Sequence, residues 1–391
     1  MRRLIAVVLL SAIFVGCKSK PQNQIKEPTI DTTPEKLIGV WITYSEIGDM
    51  AEKDFQKAFD ECIKKCIDLK INNIFVHVRP YCDAVYKSEY YPLSKYAKGY
   101  EGDALAYMVN AAHQNGIKIH AWINPYRVAL NTTDVAALPD KSPAKVWLTD
   151  NDTANDKNVC ITGDGIYLNP AESDVKKLIL LGVREIIENY AVDGIHLDDY
   201  FYPTTSEEFD KLSYEEYLKT AQNPIGLDDW RRQNVNSLLH TLYCAIKSFN
   251  GDIAFGISPA ADIDRCYNEL YADCEGWAHG AYVDYIMPQL YFGFEYPKKE
   301  FNFDSLLPLW EALLEDTHAN LYIGLANYKI GTDSPPDKEE WGSKTDIIAR
   351  QIELVDKSSA NGYVFFSYSS LFSQNKLNTE QLKNIKEKIN E

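Results

Sequence analysis

Asp198 and Asp199 stand side by side in VDGIHLDDYFYP (192–203), where a short apolar run gives way to aromatic residues. Adjacent like charges at a strand end are costly unless something else uses them. Side chains alternate along a strand, so His196 and Asp198 are expected on one face and Ile195 and Leu197 on the other. Asp199 then either points outward or, if the strand has already ended, turns toward the rim. Two carboxyls in unlike environments can carry different charges, one protonated as an acid and the other ionised as nucleophile or base. Glycosidic bond cleavage has that requirement. The structural alternative is an aspartate that ties the following loop to backbone N–H groups.

The ends of other strand-like runs carry His77 and Arg79, Asn124 and Tyr126, Ser258, Gln289 and Tyr291, and Asn327 and Tyr328. Fixed donors and acceptors beside aromatic faces suit a sugar, whose hydroxyls need directed partners and whose ring stacks. The 26 tyrosines agree with this. His77, His120 and His196 lie on three different strands with no His-x-His pair, so no metal site is expected. Gly-rich phosphate loops and a Gly-x-Ser-x-Gly elbow are absent from the sequence, and no cofactor is expected.

The elements that must position these residues alternate. Strand-like runs at 39–44, 73–80, 117–126, 192–201, 253–260, 283–294, 321–328 and 363–369 are separated by helical stretches such as ESDVKKLILLGVREIIENY. Eight parallel βα units predict an α/β fold of the TIM (β/α)8 class, whose active site sits at the C-terminal strand ends. Long segments after strands three and four, about 127–171 and 202–227, are read as loops that shape a cleft.

At the N-terminus, Arg2 and Arg3 precede an apolar run from Leu4 to Val15 that is too short for a comfortable membrane span and has the layout of an export signal. Gly16-Cys17 resembles a bacterial lipobox, although Phe14 stands where leucine is usual. The expected organisation is a signal peptide at 1–16, a tether at 17–36 lipidated at Cys17, and a barrel at 37–391. Membrane attachment would come only through that lipid. The formal charge of −17 and the lack of a basic stripe argue against nucleic acid as a partner. Cys62 and Cys66 share one helix face and read as small apolar core residues. A monomer is expected.

The segments GVWITYSE, NNIFVHVRPYCDAVYKSEYYP, GIKIHAWINPYRV, VDGIHLDDYFYP, FGISPAADID and VDYIMPQLYFGF, in this order, resemble the glycosyl-hydrolase-like 10 family over about 39–331. The resemblance implies a TIM barrel and an envelope enzyme, commonly a lipoprotein, that cleaves glycan strands including peptidoglycan stripped of its stem peptides. It implies Asp198 and Asp199 in the cleft, with Arg79, Asn124, Arg127, Asn169, Gln289 and Tyr291 as substrate contacts. Tyr126, His196, Tyr200 and Ser258 are expected to join them. For the second carboxyl the choices are Asp199, Glu46, Asp83 and Asp262, of which Glu46, in the loop after strand one, is favoured. Asp198 is then nucleophile or base, and Asp199 or Glu46 the acid, unless an N-acetyl group on the substrate attacks instead. The expected function is a glycoside hydrolase at the bacterial envelope, acting on peptide-stripped peptidoglycan or a related amino-sugar polysaccharide. The alternatives are a non-catalytic glycan-binding barrel and a metal-dependent carbohydrate deacetylase.

Overall fold

The computed structural model describes residues 36–46 and 48–391. The expected signal peptide, Cys17 and all but the last residue of the tether lie outside these described residues. Among the described residues no helix is long and apolar enough to cross a membrane.

Eight parallel strands close into a barrel in the order β1 (Leu37–Ile42), β2 (Asn73–Arg79), β3 (Lys118–Ile123), β7 (Gly194–Leu197), β8 (Ala254–Ile257), β9 (Tyr285–Ile286), β10 (Asn320–Leu325) and β11 (Gly362–Phe365), which pairs back onto β1. The barrel predicted from the alternation is present. Most of its strands stop earlier than the apolar runs do, most visibly β9, whose twelve-residue run yields two paired residues. Asp198, Ser258 and Gln289 consequently stand just past their strands.

Period-2 alternation divides the core into two layers. Ile195 and Leu197 join the layer between strands and helices, while Trp41, Phe75, Trp122, Tyr285, Met287 and Val364 fill the barrel interior. Rings this large fit because glycines face them. A Cβ on Gly194 would lie 2.1 Å from His120 Nδ1, and one on Gly256 would lie 2.2 Å from the Tyr285 ring. On the outside, helix Glu52–Asp68 buries Phe55, Phe59, Cys62, Ile63 and Cys66, a helical stripe that includes the two cysteines expected there.

The segment after β3 differs from the long loop expected. It folds into a separate antiparallel sheet of β4 (Arg127–Ala129), β5 (Val159–Thr162) and β6 (Gly165–Leu168), in the order β4-β6-β5. Strands of three or four residues carry too short a pattern to register against turn-rich flanks. Arg127 opposes Tyr167 in this sheet, so both are held at the barrel mouth by backbone pairing.

Candidate active site

A cavity of about 240 Å³ opens at the C-terminal end of the barrel. Its lining combines Asp198, Asp199, Ser258, Gln289 and Arg127 with the aromatic side chains of Trp41, Tyr44, His77, Trp122, Tyr200, Tyr291 and Phe366. Asp198, Asp199, Arg127, Tyr200, Ser258, Gln289 and Tyr291, all expected at the cleft, meet here, as does the strand-end His77; Trp41, Tyr44, Trp122 and Phe366 join them without having been expected. The signal for two of these was available: Trp41 in GVWITY and Trp122 in KIHAWI each stand one strand step from the mouth, on the inward parity.

Asp198 is 3% exposed. Its Oδ2 accepts from Trp122 Nε1 at 3.1 Å and its Oδ1 from the Tyr200 amide at 3.3 Å. Burial first, then the charge of Asp199, push its carboxyl up to about 7, against the pull of Arg127 and these two donors. Asp199 is less enclosed. Burial raises its carboxyl too, but the Gln289 amide, Arg265 and Arg127 draw it back. Gln289 Nε2 donates to Asp199 Oδ1 at 3.2 Å and to the Ser258 carbonyl at 3.0 Å, which locks its orientation. Burial thus raises both carboxyls; Asp198 lies the deeper of the two, and Asp199 keeps the Gln289 amide and the two arginines near it.

Below the cavity His196 is fully buried and takes no place in the lining. Its Nε2 lies 3.2 Å from the Trp41 indole N–H, which must donate, so Nδ1 carries the proton and donates to Tyr285 Oη at 3.0 Å. Burial holds the ring neutral, with its pKa well below the usual histidine range. His77 is stacked on Trp122 with centroids 3.7 Å apart, and burial lowers its pKa in the same way.

Several expected contacts lie elsewhere, each for a local reason. The β2–β3 register shifts between His77 and Arg79, turning Arg79 out of the barrel onto the Tyr91 ring, 4.4 Å from its centroid. A Cβ on Gly182, in helix Ser173–Asn189, would meet its Nη1 at 2.3 Å. Asn124 follows the end of β3 and donates to the Pro80 carbonyl at 3.1 Å. Tyr126 packs into the outer core. Asn169 ties the Asp156–Asn158 turn to helix Lys211–Thr220, donating to the Lys157 carbonyl at 3.0 Å and Ser213 Oγ at 2.9 Å.

Glu46 is also outside the cavity lining. Its Oε2 accepts from the Thr43 amide at 2.7 Å, and its Oε1 from Ser367 Oγ and the Ser369 amide, both at 2.6 Å. A carboxylate holding three donors is a clasp between the first and last loops. Asp262 accepts from the Arg265 amide at 3.1 Å as a helix cap, and Asp83 lines a different cavity with Tyr81 and Val128. Asp199 is the carboxyl that remains beside Asp198.

Residues 36–342 match the family model described as Glycosyl hydrolase-like 10. The chain belongs to that family. It is 34% identical over 336 residues to the glycosyl hydrolase YngK of Bacillus subtilis (strain 168), covering 78% of this chain and 62% of that protein. The chain therefore spans less than two thirds of YngK. It is 29% identical over 429 residues to the glycosyl hydrolase DigH of Escherichia coli (strain K12), covering 97% and 95%. Among solved structures, the PgaB (BpsB) glycoside hydrolase domain of Bordetella bronchiseptica superposes with a TM-score of 0.62 at 11% identity, over 89% of this chain and 98% of that one. At that identity the likeness concerns the fold.

Proposed function

We propose that this protein is a glycoside hydrolase acting on an amino-sugar polysaccharide, with peptide-stripped peptidoglycan at the bacterial envelope as its substrate. The observation that carries the reading is the Asp198–Asp199 dyad in an aromatic-lined cavity, with one carboxyl raised to about 7. Asp198 gives its proton to the glycosidic oxygen as the C–O bond breaks, and the leaving sugar departs with the bonding electrons. Asp199, ionised and held by Gln289, faces the positive charge that develops on the anomeric carbon. Water then supplies hydroxide to that carbon and returns a proton to Asp198. Asp198 is the acid here, the reverse of the role expected from sequence. The apolar run and Gly16-Cys17 support export and lipid anchoring.

Incubation of the protein with peptidoglycan strands, with and without stem peptides, followed by mass spectrometry of the products, tests the proposal. Wild type should release new fragments and Asp198→Asn should not. A general acid is dispensable when the leaving group is already good, so Asp198→Asn should still cleave an activated aryl glycoside while Asp199→Asn should not. Glycan binding without fragments would replace hydrolysis with a lectin-like role. Loss of activity with a chelator would replace it with metal-dependent deacetylation.

A further inference from the structure

A second cavity of about 270 Å³ shares Arg127, Asp199 and Tyr200 with the first and extends past them to Tyr167, Tyr202 and Arg265. The two cavities meet at a cation. Arg127 is only 9% exposed, its Nε has no hydrogen-bond partner, and it forms no salt bridge among the described residues. Its guanidinium carbon lies over the Tyr200 ring, 3.7 Å from the centroid. Arg79, buried on the Tyr91 ring, also leaves Nη1 and Nη2 without partners but borders neither cavity, whereas Arg231 is paired. Arg231 is answered by Asp210, whose Oδ2 lies 3.0 Å from Nε, and by Tyr271 Oη at 2.9 Å. A guanidinium taken out of water without such partners is costly unless a partner arrives. Arg265 stands in the same cavity with about half its side chain exposed, and among the described residues its guanidinium is engaged only by a loose contact to Glu269, Nε to Oε2 at 3.4 Å.

We propose that this second cavity is a subsite for a carboxylate carried by the sugar next to the scissile bond, received by Arg127 and Arg265. The inference rests on the glycosidase reading above and narrows its substrate to acidic glycans. The planar guanidinium matches a carboxylate through paired N–H donors, and no carboxylate among the described residues stands within salt-bridge distance of Arg127 to occupy them. Asp199 in the same space would repel an anion left unanswered by these two cations, so the site discriminates by charge balance. A carboxylate converted to an amide keeps its shape but loses the charge. Either an ether-linked lactate or a uronic acid ring could supply the anion.

The test uses a peptide-free amino-sugar strand bearing lactate carboxylates and the same strand with those carboxylates converted to methylamides. The readout is the ratio of kcat/KM on the two. Wild type should prefer the carboxylate by about tenfold or more, a difference of about 1.4 kcal/mol. Arg265→Gln, at a half-exposed position that the fold does not depend on, should reduce the ratio severalfold, and Arg127→Gln should bring it near one. A purely structural role for either arginine would lower both rates and leave the ratio alone, which would overturn the proposal, as would a wild-type ratio of one. Kd values for the two strands, measured by calorimetry, give the same ratio without turnover. Preference in binding with no cleavage would keep the subsite and refute the hydrolase reading. An oligouronate tested alongside tells a ring carboxylate from a lactate.

Discussion

Trp122 and Asp198 meet across adjacent barrel strands, the indole N–H of one donating at 3.1 Å to the carboxyl oxygen of the other. The donor favours the ionised carboxylate and so opposes the burial that raises Asp198 to about 7. Trp122→Phe removes the donor and keeps the ring. The carboxyl should rise further, and the alkaline limb of the kcat/KM profile, which reports loss of the Asp198 proton, should move to higher pH. An alkaline limb that stays in place or moves to lower pH would show that Asp198 is not the acid.

Burial of Asp198 should also be visible in stability. Because its folded-state pKa lies above the ordinary 3.8, the folded chain binds the proton more tightly than the unfolded one. That contribution is complete below about pH 4 and is lost as pH rises through 7. Asp198→Asn carries no such titration penalty but turns an amide N–H toward one of the two donors, so what is diagnostic is the pH dependence: from pH 5 to pH 8 its stability should move in its favour relative to wild type by about 1–3 kcal/mol. Thermal unfolding at the two pH values checks the sign.

Gln289→Leu takes the only side-chain donor from Asp199 among the described residues. With less to offset burial, Asp199 should ionise at higher pH, moving the acid limb of the rate profile upward. We expect kcat to fall by about ten- to a hundredfold, the scale of one lost charge-assisted contact in a reacting site, with Tm changed little. Steady-state kinetics across pH separates this from a simple loss of affinity, which would raise KM alone.

Glu46→Gln distinguishes a clasp from a catalyst. The amide keeps one acceptor oxygen where the carboxylate uses two for the Thr43 and Ser369 amides and the Ser367 hydroxyl. Stability should fall by about 1–2 kcal/mol, while kcat at a temperature where the variant is folded should stay within tenfold of wild type. A loss of a thousandfold or more would return Glu46 to the reaction.

Asp210→Ala should be among the more damaging single changes, costing about 3–5 kcal/mol, because it strands the fully buried Arg231. Arg231 also holds the Thr205 and Ser206 carbonyls at 3.2 and 2.7 Å, so the segment just after the dyad should loosen first. Hydrogen exchange over 199–210, compared with the rest of the barrel, measures this.

The barrel, the Asp198–Asp199 pair and the inward placement of His196 were legible in the chain because they follow from local periodicity: apolar runs alternating with helical stripes, and side chains alternating along β7. Arg79 was expected at the cleft as a strand-end residue, and one register shift after His77 sends it out; pairing between β2 and β3 decides that, and no pattern within β2 contains it. Asn124, also expected at a strand end, stands past β3, which ends at Ile123, and turns to the Pro80 carbonyl. Glu46 looked free in sequence and is taken up by Ser367 and Ser369, more than 300 residues away. What sets the two carboxyls apart is depth, since adjacent aspartates are chemically identical until the barrel walls enclose one of them beside Trp122 and leave the other to Gln289 at the rim. A sequence names the groups that can ionise, whereas desolvation and the field of neighbours distant along the chain, which exist only in the folded molecule, decide which one does.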